Sequence, residues 1–277
     1  MILDGKIVAQ KIYDDLKKEV YSFEKKPKLV VILVGKNSPS LRYINQKQKW
    51  ADYVWIDFEL INFDSDVLEN TILETINKLN NDKNINGFMV QTPLPNHINL
   101  SNIINAINSN KDVDGFHPIN QWKIVIWDKS WLRACTPSWV IELCKYYNID
   151  LIWKKVVIIW RSNIVWKPLA NLLINIWSTV TSCNSKTKNI EFYTKNADII
   201  ITAMGKPKFL TVDKISKNTI IIDVGFSVID DKIYGDADFE NIVNNWNKIT
   251  PVPGWVWPLT VACLIKNTLK AYYNQLN

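Results

Sequence analysis

The chain has very little glycine. It contains 8 glycines in 277 residues, or about 3%, whereas a globular protein has about 7%. Loops that turn sharply, or that bring the backbone close to a phosphate, depend on glycine. A nucleotide-binding protein with this composition must therefore fill such loops with another residue.

Other absences exclude whole classes of protein. There is no apolar run of about 18 residues that could span a membrane. The start, "MILDGKIVAQKI", carries an acid and a lysine where a signal peptide has its apolar core. The net charge of +6 comes from scattered lysines, without an arginine-rich block. We therefore expect a cytoplasmic protein with no membrane or nucleic-acid partner.

Cysteine and histidine are too sparse for a disulfide framework or a metal site. No CxxC pair occurs, and we expect reduced thiols, no metal and structural roles for both histidines. The residues concerned are Cys135, Cys144, Cys183, Cys263, His97 and His117.

Tryptophan, in contrast, is abundant. There are 13 tryptophans, and the glycine and tryptophan counts together approach the ordinary glycine share of about 7%. This coincidence suggests that tryptophan stands where the natural protein has glycine. Some uncultured bacteria read the UGA codon as glycine, and translating UGA as tryptophan would produce this pattern.

The pattern of elements predicts two α/β domains. In the first half, helical spacing over 8–25 precedes a buried strand ending at Gly35 and a helix that Ser38 or Ser40 can cap. From "KKVVIIW" onward, strands alternate with short helices, which indicates a parallel, Rossmann-like sheet. The chain ends in a Pro/Gly loop and a helix that we expect to pack back on the first domain.

The stretch "IIWRSNIVWKP" (158–168) has the position of a first strand-to-helix turn. Trp160 and Trp166 stand where a backbone must approach a pyrophosphate. Read with glycine, the stretch is a variant phosphate loop. Arg161 would then favour the 2′-phosphate of NADP, and Ser185 would lie near the adenosine ribose. The loop chemistry is equally consistent with the alternative that Arg161 is a surface charge and Ser185 is a turn residue.

A second candidate site is a helix face. Ser40, Tyr43 and Lys47 are spaced three and four apart, so they share one side of a helix that follows a strand. A desolvated lysine there can act as acid or base. Gln91 and Asp114 lie at other strand ends or loops. Taken alone, the face could be an ordinary amphipathic one, and the other two residues could be turn or capping residues.

Six motifs together carry a family resemblance over essentially the whole chain. They are "SLRYINQK", "VQTPLP", "KDVDGFHPIN", "CTPSW", "WRSNIVWKP" and "ITPVPGWVWPLT". In this order they resemble the bifunctional methylenetetrahydrofolate dehydrogenase/cyclohydrolase (FolD) family. The resemblance implies NADP-dependent oxidation of 5,10-methylenetetrahydrofolate, with NADP preferred over NAD, and then hydrolysis to 10-formyltetrahydrofolate. It also implies a homodimer.

The resemblance implies a role for each motif residue. Lys47 would be the catalytic lysine, oriented by Gln91, while Tyr43 would stack on the folate and Asp114 would hold the pterin. The remaining folate contacts would be Val90, Thr92, Pro253, Gly254, Trp255, Val256 and Trp257. The cofactor contacts would be Trp160, Arg161, Ser162, Ser185 and Phe226.

The implied fold is α/β with two domains and a cleft between them. Residues 1–118 and 259–277 would form the folate-binding catalytic domain, and residues 119–258 the Rossmann-like NADP-binding domain with a mainly parallel sheet. The sequence departs from the family at Thr92, where leucine is common, and at Phe226, where isoleucine is usual. The family pattern also has glycine where this chain has Trp55, Trp122, Trp139, Trp153, Trp160, Trp166, Trp255 and Trp257.

Two alternatives remain. If the tryptophans are genuine, they obstruct both pockets, and the chain would be a non-catalytic nucleotide-binding relative. A monofunctional dehydrogenase of the same fold, such as an amino-acid dehydrogenase, is the other alternative. The "YINQK" face together with "VQTPLP" argues against the latter.

Overall fold

The structure, a computed structural model, describes residues 1–160, 166–230, 232–245, 247–253 and 256–276. The chain divides into two compact units. The three-stranded unit comprises residues 10–135 and 261–277, and the five-stranded unit comprises residues 1–9 and 136–260. No helix in the described ranges is both long enough and apolar enough to cross a membrane.

The three-stranded unit alternates helices and strands. Its strands pair in parallel in the order β2-β1-β3. The central strand β1 is almost entirely buried, as its β-branched sequence "KLVVILV" predicts. The elements are α1 (Gly5–Tyr21), β1 (Lys28–Val34), α2 (Ser38–Tyr53), β2 (Asp57–Phe63), α3 (Glu69–Asn81), β3 (Gly87–Val90), α4 (Leu100–Ala106) and α5 (Pro118–Val125).

The five-stranded unit is built around a parallel sheet of order β10-β7-β6-β4-β5. A separate antiparallel hairpin, β8-β9, follows β7. The elements are α6 (Cys135–Tyr146), β4 (Lys155–Ile159), α7 (Trp166–Asn175), β5 (Thr179–Cys183), α8 (Ile190–Lys195), β6 (Ile199–Thr202), β7 (Ile220–Asp223), β8 (Ser227–Ile229), β9 (Lys232–Tyr234), α9 (Phe239–Asn244) and β10 (Lys248–Ile249). The last helix, α10 (Val256–Leu276), belongs to the three-stranded unit from residue 261 onward.

The strand orders decide where ligands can bind. In the five-stranded sheet the chain passes from β4 to β5 on one side and then returns to place β6 on the other side of β4. In the three-stranded sheet, β2 and β3 likewise flank β1 on opposite sides. Such a reversal opens a crevice outside the carboxyl ends of the two central strands. Each sheet therefore offers one ligand edge, at β4/β6 and at β1/β3.

Each unit has its own apolar core. In the three-stranded unit, α3 packs Ile72 and Ile76 against Val30 and Ile32 of β1. In the five-stranded unit, strand residues such as Ile200 and Ile221 form the corresponding cluster. The two-domain α/β prediction, with a Rossmann-type parallel sheet, is confirmed.

The structure corrects one detail of the predicted elements and adds another. Asn37, rather than Ser38 or Ser40, caps α2 by accepting from the Ser40 N–H. A short amide is as good a cap as a serine hydroxyl. The elements between 227 and 249 were not predicted, because each has only two to six residues and periodicity over so short a run carries little signal.

The observed units differ from the predicted domain boundaries in two places. Residues 1–9 belong to the five-stranded unit, since Ile2 bridges Ile249 in parallel at the end of the sheet. Residues 119–135 belong to the three-stranded unit, where Asn120 bonds both Asp112 and the Leu132 N–H. Backbone and side-chain hydrogen bonds thus set a division that composition does not reveal.

Candidate active site

Lys47 lies on the buried face of α2. The buried residues of this helix recur at the spacing of one helical side: Ser40, Ile44, Lys47 and Ala51. Lys47 is only 8% exposed, although a lysine is rarely this buried without a partner. An amine in the apolar stripe, close to the carboxyl ends of β1 and β3, indicates a functional group.

Gln91 supplies the partner. The Lys47 ammonium donates to Gln91 Oε1 over 2.6 Å and approaches Met89 Sδ at 3.3 Å. Gln91 follows β3, and its backbone N–H donates to the Ile32 carbonyl of β1. Its side-chain amide donates to the Thr92 carbonyl over 2.7 Å. That second bond fixes the amide so that its oxygen faces the lysine.

Asp114 completes an acid–base cluster with Lys47. Burial lowers the pKa of Lys47, and the nearby charges of Asp114 and Cys135 oppose this effect. Burial also raises the pKa of Asp114 to about 6, against the attraction of Lys47 and a hydrogen bond from the Cys135 thiol. Two titrating groups whose environments move their pKa values towards neutrality are typical of catalytic sites.

Hydrogen bonds to Asp112 anchor the loop that carries Asp114. This carboxylate is 2% exposed and accepts from the backbone N–H groups of Gly115 and His117 and from the Asn120 amide. Gly115 has φ +75°, and a Cβ there would lie 2.4 Å from the Arg133 carbonyl carbon. Only glycine fits this position, so the loop geometry follows from "DVDG".

The other residues predicted to contact folate on this unit lie around the same edge. Tyr43 is one turn before Lys47 on α2 and is partly exposed, and burial raises its pKa. Val90 is buried at the end of β3, and Thr92 is exposed. The structure thus brings together the residues of "SLRYINQK", "VQTPLP" and "KDVDG" at the carboxyl end of one sheet.

Sequence reasoning missed three residues of this site. Cys135 is buried beside Asp114, and Asp112 anchors the loop. Asn267 of α10 donates to the carbonyls of Val113 and Arg133. A carboxylate two residues before Asp114 was a visible signal. The sequence around Cys135 and Asn267 does not indicate their roles, because both residues reach the Asp114 loop from distant positions in the chain.

In the five-stranded unit, three predicted cofactor residues each follow a strand of the same parallel sheet. Trp160 follows β4, Ser185 follows β5 and Phe226 follows β7, and all three are exposed. The Trp160 N–H donates to the Cys183 carbonyl, which keeps the ends of β4 and β5 aligned. This carboxyl edge, with its open crevice between β4 and β6, fits a dinucleotide.

Several predicted residues lie outside the described part of the chain. Arg161 and Ser162 are among them, as are Gly254 and Trp255. Pro253 is exposed at the end of a described segment, and Val256 and Trp257 begin α10. Residues 161–165, between Trp160 and Trp166, lie outside the described ranges as a whole. Both histidines have structural contacts: His117 caps α5, and His97 Nε2 lies 3.0 Å from the Val67 carbonyl.

Comparisons with known proteins agree with this organisation. Residues 3–114 match the catalytic domain of tetrahydrofolate dehydrogenase/cyclohydrolase, and residues 134–276 match its NAD(P)-binding domain. The bifunctional protein FolD of Sulfurihydrogenibium sp. (strain YO3AOP1) is 43% identical over 281 residues, covering 100% of this chain and 99% of that protein.

Solved structures give the same result. The FolD crystal structure from Campylobacter jejuni has a TM-score of 0.95 and 41% identity, with 99% of each chain covered. The Trypanosoma brucei FolD, complexed with NADP and an inhibitor, has a TM-score of 0.93 and 30% identity, covering 100% of this chain and 98% of that one. Fold and site together define the class, a two-domain NAD(P)-binding dehydrogenase with a separate catalytic domain.

Within that class, the chain belongs to the bifunctional methylenetetrahydrofolate dehydrogenase/cyclohydrolase (FolD) family. Its activities are the NAD(P)-dependent oxidation of 5,10-methylenetetrahydrofolate to the methenyl form and the hydrolysis of that product to 10-formyltetrahydrofolate. These matches do not favour a non-catalytic relative.

Proposed function

We propose that Lys47 is the acid–base residue of the cyclohydrolase step. The observation that carries this proposal is its buried amine, 2.6 Å from Gln91 Oε1. Burial lowers the pKa of Lys47, which increases the share of neutral amine available as a base near pH 7. Gln91 holds the amine in place without adding a charge that would restore the high pKa.

The proton transfers follow from this geometry. Water attacks the methenyl carbon, and the proton that it loses passes to the neutral Lys47 amine. In the resulting carbinolamine the C–N5 bond breaks as N5 accepts a proton from the Lys47 ammonium. The hydroxyl releases its proton to solvent and becomes the formyl oxygen, so that one proton is released overall. One residue thus serves as base and then as acid, which is efficient when its pKa lies near the working pH.

Tyr43 and Asp114 are the proposed folate ligands. Tyr43 lies four residues before Lys47 on the same helix, so its partly exposed ring can stack on the substrate beside the amine. Asp114, when ionised, accepts hydrogen bonds from the pterin ring. Val90, Thr92 and residues 253–257 would complete the substrate contacts, in line with the family motifs.

For the dehydrogenase step we favour NADP over NAD. Bound at the β4/β6 edge, the nucleotide would accept the hydride from the methylene carbon. Arg161 would pair with the 2′-phosphate, while Ser185, exposed after β5, would approach the adenosine ribose. Ser162, Phe226 and the backbone at Trp160 would hold the rest. The Trypanosoma brucei relative was solved with NADP, which supports this choice, and initial rates with each nucleotide would test it.

Replacing Lys47→Met tests the cyclohydrolase proposal. We expect hydrolysis of added methenyltetrahydrofolate to fall by at least about 10²-fold, the usual contribution of acid–base catalysis. Lys49→Met is the matched control, because it makes the same change at an exposed position of the same helix. Full hydrolysis by Lys47→Met, or an equal loss in the control, would refute the assignment.

Oligomeric state and location are further proposals. The family resemblance supports a homodimer and a cytoplasmic location. Light scattering on the purified protein would test the first, since a monomeric mass at micromolar concentration would refute it. Fractionation of the source cells would test the second.

A further inference from the structure

Two buried carboxylates lie beyond the site described above, at the carboxyl edge of the five-stranded sheet. Asp223 ends β7 and is 2% exposed, and Asp236 follows β9 and is 0% exposed. Among the described residues, neither forms an ion pair with a lysine or arginine. Burying a charge without a cation is costly, so their hydrogen bonds must explain why they are there.

Asp236 accepts hydrogen bonds from the loop that follows β6. Its Oδ2 accepts from the Thr202 hydroxyl at 2.9 Å and from the Met204 N–H, and its Oδ1 accepts from the Lys206 N–H at 2.7 Å. β6 borders the crevice beside β4. One carboxylate therefore fixes the main chain of residues 202–206 where a nucleotide is expected to bind.

Asp223 forms hydrogen bonds with the loop after β7, with the segment after β9 and with the segment that begins at Thr250. Its Oδ1 accepts from the Gly225 N–H and its Oδ2 from the Ala237 N–H, both at 2.8 Å. Its own N–H donates to the Thr250 hydroxyl at 2.8 Å. Gly225 directly precedes Phe226, and Thr250 begins the segment that leads to Pro253.

Two glycines make this arrangement possible. A Cβ on Gly225 would lie 2.3 Å from Asp236 Cγ, and a Cβ on Gly235 would lie 2.1 Å from Asp223 Oδ2. Each carboxylate thus packs directly against the backbone of the segment that carries the other. Burial, with the nearby charge of Asp236, raises the pKa of Asp223 to about 7.

We propose that Asp223 and Asp236 are positioning residues for the dehydrogenase step, holding the loops after β6 and β7 and the start of the 250–253 segment in the geometry that NAD(P) binding requires. They act through backbone groups rather than by touching the ligands. The inference rests on the proposed cofactor role of Phe226 and the proposed substrate role of Pro253. It assigns no part in hydrolysis at Lys47 to either residue.

The sharpest test is Thr202→Val, which removes the hydroxyl donor to Asp236 and keeps the branched shape, with Thr202→Ser as the variant that retains the donor. Loss of a hydrogen bond to a charged group is expected to raise the KM for the nucleotide by about tenfold or more. Thr202→Ser should restore it. Hydrolysis of methenyltetrahydrofolate, supplied directly, should stay within about twofold of the parent.

Asp236→Asn gives the stronger perturbation, since an amide cannot accept from all three donors. A larger rise in KM with unchanged hydrolysis supports the proposal. An unchanged KM in Thr202→Val, or dehydrogenase and cyclohydrolase activities that fall in parallel, overturns it. If Asp236→Asn does not fold, the threonine pair decides alone.

The outcomes also separate this inference from the proposed function. The KM for the nucleotide is measured for each protein with NADP and with NAD. A preference for NAD in the parent enzyme would refute the NADP proposal and leave the Thr202 effect measurable with NAD. Loss of hydrolysis in Lys47→Met beside an unchanged KM in Thr202→Val would refute the positioning role alone.

Discussion

Trp177 occupies a backbone position that favours glycine. Its φ is 67°, in the left-handed region that residues with a Cβ rarely adopt. The Trp177 N–H donates to the Ile174 carbonyl and the Ser178 N–H to the Leu173 carbonyl, each at 3.0 Å. This pair of bonds is the Schellman ending of a helix, in which the left-handed residue is usually glycine.

The energetic consequence can be worked out for Trp177→Gly and Trp177→Ala. Alanine keeps the Cβ, whose left-handed conformation costs about 1–2 kcal/mol. Glycine removes that cost but has a more flexible unfolded chain, worth about 0.4–1 kcal/mol. We therefore expect the glycine variant to be more stable than the alanine variant by about 1 kcal/mol. The indole is 69% exposed, so both variants lose little burial.

Urea unfolding of the two variants measures this difference. Trp50 provides the opposite control, because it lies inside α2 and stacks on Tyr13 with ring centroids 4.0 Å apart. There, alanine should exceed glycine by about 1 kcal/mol, the ordinary helix preference. Equal stability of the glycine and alanine variants at position 177 would refute the reasoning.

The same ending recurs at two other helices. Trp55 after α2 (φ 61°) and Trp127 after α5 (φ 60°) make the same two bonds, while Asn148 (φ 51°) takes this position after α6. Asparagine adopts the left-handed region more readily than tryptophan does. Trp153 (φ 62°) is a fourth case, in the turn before β4. These positions support the hypothesis that tryptophan here replaces glycine.

Other tryptophans bear on the hypothesis differently. Trp131 is fully buried, and its Nε1 has no hydrogen-bond acceptor among the described residues, a defect that costs about 1–3 kcal/mol. Trp50 and Trp139 lie within helices, where the backbone does not require glycine. The coding DNA and peptide masses from the source organism decide the matter: UGG codons or tryptophan masses would exclude recoding.

The remaining predictions concern the acid–base cluster. Gln91→Glu places a carboxylate beside the Lys47 amine, and its negative charge should raise the pKa of Lys47. The rising limb of the cyclohydrolase pH profile should therefore move to higher pH. A limb that does not move would contradict the proposed contact. Burial raises the pKa of Asp114 to about 6, and protonation below that value should weaken its acceptance of hydrogen bonds from the pterin. The KM for folate should therefore rise as the pH falls from 7 to 5, and Asp114→Asn should abolish that dependence; a KM that varies alike in both proteins would contradict the role.

Much of the fold follows from local signals. "KLVVILV" specifies a buried strand by its β-branched residues, and "NADIIIT" does the same for β6. The short elements from β8 to β10 lack a period long enough to predict. Their positions depend on contacts such as those of Asp223 and Asp236 with loops more than ten residues away.

The sequence alone determined the family, the two α/β domains and the identities of the residues proposed for chemistry, because these depend on residue types in a fixed order. It could not decide that Lys47 is desolvated or that Gln91 faces it, because burial is a property of the packed chain. It also could not show that Trp177 and Trp55 have left-handed backbones. Only the tertiary structure fixes φ at a helix end, the solvent around an amine and the partners of a buried carboxylate. Those quantities set pKa values and strain, and through them the chemistry.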